Sequence, residues 1–255
     1  MLVLRAVAAV AAVVLLTSLA GPARAAGVIL RWDQCLHDEG AINKNFACDT
    51  NVGSHVLVGS VYPTLPLHDM SGAEIVIDLA GANPTLPAWW QFKNVGTCRQ
   101  TSLSLSSVIQ PTAFNCSDWS NGAAAGGIGA YSIGNRGANT ARIVAAVAVP
   151  SSALAELVPC TEYFLFLLTI NHLKTVGTGS CAGCVVPVCI VFNKALLTTP
   201  IPANNKAISG PVDWTDSNVA YWQGGGLPMV GGSVGCPAAT PTRASTWGAV
   251  KALYR

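Results

Sequence analysis

One stretch constrains this chain more than any other: Thr161 to Phe192, TEYFLFLLTINHLKTVGTGSCAGCVVPVCIVF. Tyr163 to Ile170 is apolar at consecutive positions, so a strand there shows apolar side chains on both faces. Such a strand belongs in the middle of a sheet covered on both sides. VVPVCIVF is a second strand-like run, and the Gly- and Lys-containing segment between the two reads as the turn of a central hairpin. Four of the nine cysteines, Cys160, Cys181, Cys184 and Cys189, lie in or beside these runs.

Other segments repeat the strand signature. His55 to Tyr62 is strand-like, and in Glu74 to Leu79 the residues Ile75, Ile77 and Leu79 alternate with Glu74, Val76 and Asp78, the period of a sheet with one wet face. Ser102 to Ile109, Ala141 to Val149 and Asn218 to Gln223 complete the clear set. Gly122 to Gly137 is a Gly-rich loop or a weak strand where backbones pack closely. Short strands separated by Gly/Pro/Asn turns, with few helical periods, give an all-β fold: an antiparallel β-sandwich, Ig-like or jelly-roll-like, with long disulfide-tied loops and at most short helices. The terminal STWGAVKALYR is read as a short docked helix or an edge strand.

The N-terminus reads as an address. Arg5 precedes the apolar run Ala6 to Ala20, Gly21-Pro22 breaks it, and Ala23-Arg24-Ala25 is an A-x-A cleavage signal. The run is about 15 residues, short of the roughly 20 that cross a bilayer as a helix. Residues 1–25 are therefore expected to be a cleaved signal peptide, and 26–255 a single secreted domain, extracellular or periplasmic, with no membrane span after cleavage. The chain carries 14 Lys and Arg against 12 Asp and Glu. Arg5 and Arg24 leave with the leader, so the mature protein is neutral. It has no basic run to displace counterions from phosphates, which excludes nucleic acid as the expected partner.

In an oxidising compartment the cysteines are expected to form structural disulfides. The candidates are Cys35, Cys48, Cys98, Cys116, Cys181, Cys184, Cys189 and Cys236. Sequence proximity suggests Cys35–Cys48 and Cys98–Cys116 as local pairs, and Cys160 stands apart as the odd one. Cys181-Ala182-Gly183-Cys184 has redox spacing but lacks the helix N-terminus that lowers a thiol pKa. A zinc set of Cys160, Cys181, Cys184 and Cys189 lacks a second C-x-x-C.

No other motif survives its context. Gly231 to Gly235 fits G-x-S-x-G, but Gly residues precede the serine, Cys236-Pro237 follows, and no histidine comes later. His37, His55, His68 and His172 show no ligand spacing, and His55 and His172 are read as packing or hydrogen-bonding residues. Asp33, Asp38, Glu39 and Asp49 crowd one loop, where calcium is the one cofactor to consider, but the D-x-D-x-D-G spacing is missing. No catalytic, cofactor or metal residue is assigned. Asn115-Cys116-Ser117 matches a glycosylation acceptor.

The segments WDQC…FACDTN, LPAWWQF, CAGCVVPVCIVF and STWGAVKALYR resemble a group of secreted bacterial proteins, a likeness that covers most of the mature chain and carries no activity with it. The strand count and the CAGC hairpin also look like cohesin-type or carbohydrate-binding β-sandwich modules, which implies a sandwich and transfers no functional residue. The expected role is a non-catalytic secreted or cell-surface structural or binding protein, its partner a carbohydrate or another surface protein. In the carbohydrate-binding alternative, exposed Trp89, Trp90, Trp119, Trp214 or Trp222 stack on sugar rings. Trp89 and Trp90, adjacent in a strand, point to opposite faces, so one fills the core while the other is exposed or covered by a loop; core or inter-loop packing is the commoner fate of such a residue. A secreted hydrolase needs a carboxylate pair that no spacing singles out, and a self-assembling subunit needs an unpaired edge strand or a Cys160 bridge.

Overall fold

A computed structural model describes residues 26–109, 116–212, 216–224 and Cys236. The described chain is all-β. Its strands are β1 (Gly27–Trp32), β2 (Asn43–Lys44), β3 (Ser54–Tyr62), β4 (Leu67–Met70), β5 (Gly72–Gly81), β6 (Leu103–Ser106), β7 (Ser117–Asp118), β8 (Ala125–Ile133), β9 (Thr140–Ala148), β10 (Ala155–Leu157), β11 (Tyr163–Asn171), β12 (Val188–Thr198), β13 (Lys206–Ser209) and β14 (Val219–Trp222). Among the described residues the only helical pieces are four 3₁₀ turns of three residues each.

Two sheets face each other. The first runs β1-β3-β11-β6, with β7 beside β11; the second runs β2-β14-β12-β5-β9-β8, with β13 beside β12. Pairing is antiparallel except for the two-residue contacts β11–β7 and β14–β2. A small β10–β4 ribbon stands apart. One core joins the sheets: Leu30, Leu57, Val61, Leu165, Phe166 and Leu168 of the first pack against Ile75, Ile77, Ile143, Val147, Ile190 and Phe192 of the second. Phe166 and Phe192 meet edge to face across the gap, with centroids 5.2 Å apart.

The apolar run of β11 has the predicted central place between β3 and β6. Its second face is apolar because it is covered too: Phe164 and Leu167 pack with Val58 under the Cys35–Cys116 bridge. The expected hairpin, however, is not formed. β11 pairs with β3 in the first sheet and β12 with β5 in the second, so residues 172–187 cross from one sheet to the other. Sixteen connecting residues are long for a hairpin turn, and each run finds its apolar partners in a distant strand.

The alternation over Glu74 to Leu79 holds, with Ile75, Ile77 and Leu79 in the core. Its outer face is drier than expected. Asp78 is 2% exposed and accepts two hydrogen bonds from Arg142 at 2.7 Å and one from Asn193 Nδ2 at 2.7 Å. The Gly-rich segment supplies edge strand β8. At Gly126 a Cβ would stand 2.2 Å from Ala146 O on β9, so this glycine permits the close backbone approach.

Candidate functional site

The disulfides are Cys35–Cys116, Cys48–Cys184, Cys98–Cys181 and Cys189–Cys236; Cys160 is free and exposed. The two local pairings expected from proximity, Cys35–Cys48 and Cys98–Cys116, are therefore wrong. Cys35 and Cys48 lie on opposite sides of a 3₁₀ turn and a short strand; Cys35 is buried beside Val58 and Phe164, while Cys48 is half-buried against the main core. Cys181 and Cys184 also part company, one held by Cys98 and the other by Cys48. The C-x-x-C thus contains no dithiol pair, and its sulfurs are not available to a metal.

Those two bridges build one end of the molecule. They pin the crossing segment 172–187 to the 82–102 loop and to the segment that leads into β3. Beneath them lies an aromatic cluster of Trp32, Phe46, His55, Trp89, Trp90, His172 and Trp222. Pro87 precedes a 3₁₀ turn at Ala88–Trp90, so the adjacent tryptophans are not in a strand and do not point apart. Both are fully buried. Trp89 stacks on Trp222 at 5.2 Å and donates from Nε1 to Thr175 Oγ1 at 3.1 Å, while Trp90 meets Trp222 edge-on at 5.6 Å.

This overturns the exposed-tryptophan reading for four of its five residues. Trp89, Trp90 and Trp222 have no exposed surface and Trp119 keeps 4%, so none offers a face to a sugar ring. Trp214 lies outside the described residues, as do Asn115, the Gly231–Gly235 motif and the terminal STWGAVKALYR. Burial is the commoner fate of such tryptophans; what sequence reasoning missed is the backbone, because a W-W pair carries no sign of its geometry and only Pro87 hinted at a turn.

Arg99 occupies the centre of this end. Its guanidinium lies 3.6 Å from the Trp89 ring centroid and 5.2 Å from that of Phe92, and it donates to Trp89 O at 3.0 Å and to Asn171 O. The residue is 1% exposed, its Nε has no partner, and among the described residues no carboxylate forms an ion pair with it. Burial alone pushes its pKa down, to about 9. Nothing in the sequence singled out this arginine.

A cleft of about 490 Å³ opens beside it, lined by Asn51, Arg99, Gln100, Thr101, Lys174 and Thr178 among others, with no Asp or Glu. Its walls are fixed locally. Asn51 Oδ1 accepts from the backbone N–H of Thr175 at 2.7 Å and of Val176 at 2.9 Å, and its Nδ2 donates to Val176 O at 3.0 Å. Cys98–Cys181 ties the opposite wall. The size lies within the range of small-ligand sites.

Other polar constellations are spoken for. Glu162, 4% exposed, accepts from Ser60 Oγ at 2.5 Å and from the backbone of Leu36 and His37, and meets His37 Nδ1 at 2.6 Å. Here the carboxylate separates the serine from the histidine, the reverse of the order that activates a nucleophile, and Ser60 has no exposed surface. A second cleft, of about 460 Å³, holds Asp118 and Glu156. Asp118 closes a turn by accepting from Ser120 N, Ser120 Oγ and Gly122 N, and Glu156 pairs with His68. Asp33 of the acidic loop is engaged by Lys44 at 2.5 Å. Among the described residues no group of three or more His, Cys, Asp or Glu gathers to hold a metal, and Asp33, Asp38, Glu39 and Asp49 do not converge as calcium would require. No helix among them is long and apolar enough to cross a membrane.

Comparisons with protein families, with curated proteins and with solved structures found no match to this chain.

Proposed function

We propose that this is an exported, non-catalytic binding protein that works in an oxidising compartment and takes a small polar ligand in the cleft between Arg99 and Lys174. The observation that carries this reading is the cleft's construction. Hydroxyl, amide and cationic side chains line a space whose walls are held by the Cys98–Cys181 bridge and the Asn51 side chain. A pre-formed polar site of this kind binds without first having to order its own loops. Four disulfides, three of them spanning more than eighty residues, suit a protein that lives outside the reducing cytoplasm.

Two measurements test the proposal. Secreted material from a host expressing the full chain should begin at Ala26 on N-terminal sequencing. The purified protein, screened by thermal shift against neutral sugars, polyols and small acids, should be stabilised by a subset and leave that subset chemically unchanged. Turnover of a bound compound, or retention of residues 1–25 on cytoplasmic protein, would refute it.

A further inference from the structure

The geometry points to an oxyanion, a carboxylate or phosphate group, as the moiety recognised in this cleft, with Lys174 at the rim and the Arg99 guanidinium behind the wall supplying the attraction. The inference rests on the binding reading above and narrows it to a ligand class.

A guanidinium removed from water needs compensation, because desolvating a charge costs several kcal/mol. Proteins usually provide a carboxylate. Among the described residues Arg99 has two backbone carbonyls and the faces of Trp89 and Phe92 for partners, and no carboxylate. Carbonyls and rings carry partial charge, so a net unit of positive charge stays in a low-dielectric wall. Field lines from such a charge leave through the nearest high-dielectric opening, and Arg99 itself lines the cleft.

Lys174 adds a second positive charge at that opening. Its backbone has a left-handed φ of 60°, and its own carbonyl is held by Cys181 N at 2.8 Å, so the base of the side chain is fixed beside the cleft. No Asp or Glu among the described residues lines the cleft, and Asp33, Asp78 and Glu162 are engaged elsewhere, by Lys44, by Arg142, and by Ser60 and His37. Thr101, Gln100 and Thr178 can donate to the remaining oxygens of a bound anion. Two cations, neutral donors and no acid form the donor set of an oxyanion site.

Isothermal titration of the disulfide-intact protein with sodium glucuronate, sodium phosphate, sodium acetate and glucose, at matched ionic strength in chloride, tests the inference. Glucuronate or phosphate should bind in preference to glucose, and whichever wins tells an acidic sugar from a free phosphate. Amide signals of Thr97 to Ser102 and Leu173 to Thr178 should move on binding. Lys174→Gln, at an exposed position, should leave the fold unchanged and weaken the anion about 3- to 10-fold. Arg99→Lys keeps the charge but loses the fork that bridges two carbonyls, and serves as second variant if it folds. Equal binding of glucose and glucuronate in this cleft would overturn the oxyanion assignment and leave the binding reading standing. Failure of every anion would overturn the assignment as well, and the wider reading would then fall only if the neutral compounds also failed.

Discussion

Gly59 sits in the middle of β3, opposite Leu30 on one side and Phe166 on the other. A Cβ built on it would lie 2.0 Å, 2.1 Å and 2.6 Å from Cζ, Cε1 and Cε2 of Phe166. The ring therefore rests on the bare glycine backbone. Phe166 has no exposed surface, and Phe192 closes its other side. On strand propensity alone, Gly59→Ala should stabilise by about 0.5–1 kcal/mol. Overpacking opposes this: an overlap of a whole methyl group with a ring that cannot leave costs about 3 kcal/mol. The net expectation is a loss of about 2 kcal/mol, or roughly 4–8 °C in Tm for a chain of this size.

The assay is guanidinium unfolding of the oxidised protein, followed by the fluorescence of the buried tryptophans. The decisive comparison is a double-mutant cycle with Phe166→Leu. That single change removes ring atoms and costs about 1–3 kcal/mol through its cavity, but it also vacates the space the new methyl needs. The two losses should therefore fall short of adding by at least about 1 kcal/mol. Additivity within about 0.5 kcal/mol, or an unimpaired Gly59→Ala protein, would refute the packing argument.

Three further expectations follow from other parts of the molecule. The pKa of His55 is pushed down to about 4, first by burial, then by His172 and Lys44, with Asp33 opposing; because the folded value lies below the unfolded 6.5, stability should be complete above about pH 6.5 and fall by roughly 1–3 kcal/mol as pH drops towards 4, a dependence that urea titrations should find reduced in His55→Phe. Asp78→Asn removes the negative charge and turns one of the two acceptor oxygens shared by Arg142 and Asn193 into a donor, which should cost about 2–4 kcal/mol by the same unfolding measurement, whereas a loss under about 0.5 kcal/mol would mean the pair is solvent-balanced. Cys160 is the one cysteine outside the bridges and is exposed, so a native thiol titration should find one reactive thiol per chain in the wild type and none in Cys160→Ser.

The strands were legible because their signal is local. Ile75, Ile77 and Leu79 announce a buried face through spacing alone, and the two-faced apolarity of Tyr163 to Ile170 announces a central strand. Who pairs with whom was not. The β11 and β12 runs are near neighbours in sequence yet join different sheets, since the contest between a local turn and distant partners is decided by the total area each arrangement buries. Cys35 and Cys48 show the same limit: proximity favours a short loop, but each packs against a different cluster of the sandwich, and that overrides it. The cleft was invisible for a related reason. Arg99, Lys174 and Asn51 are unremarkable residues in three separate loops, which the Cys98–Cys181 and Cys48–Cys184 bridges and the Asn51 side chain bring together.

The bridging pattern has a consequence for how the protein is made. Cys35–Cys116 interlaces with both Cys48–Cys184 and Cys98–Cys181, and of the four bridges only Cys189–Cys236 joins cysteines that are consecutive in the chain. A chain oxidised as it emerges N-terminus first meets the wrong mates first: Cys48 is at hand for Cys35 long before Cys116 appears. Early bonds must therefore be undone by thiolate attack through mixed disulfides. Production of this protein should depend on an isomerase or a glutathione buffer, and rapid oxidation without exchange should trap the Cys35–Cys48 isomer, which non-reducing peptide mapping would reveal.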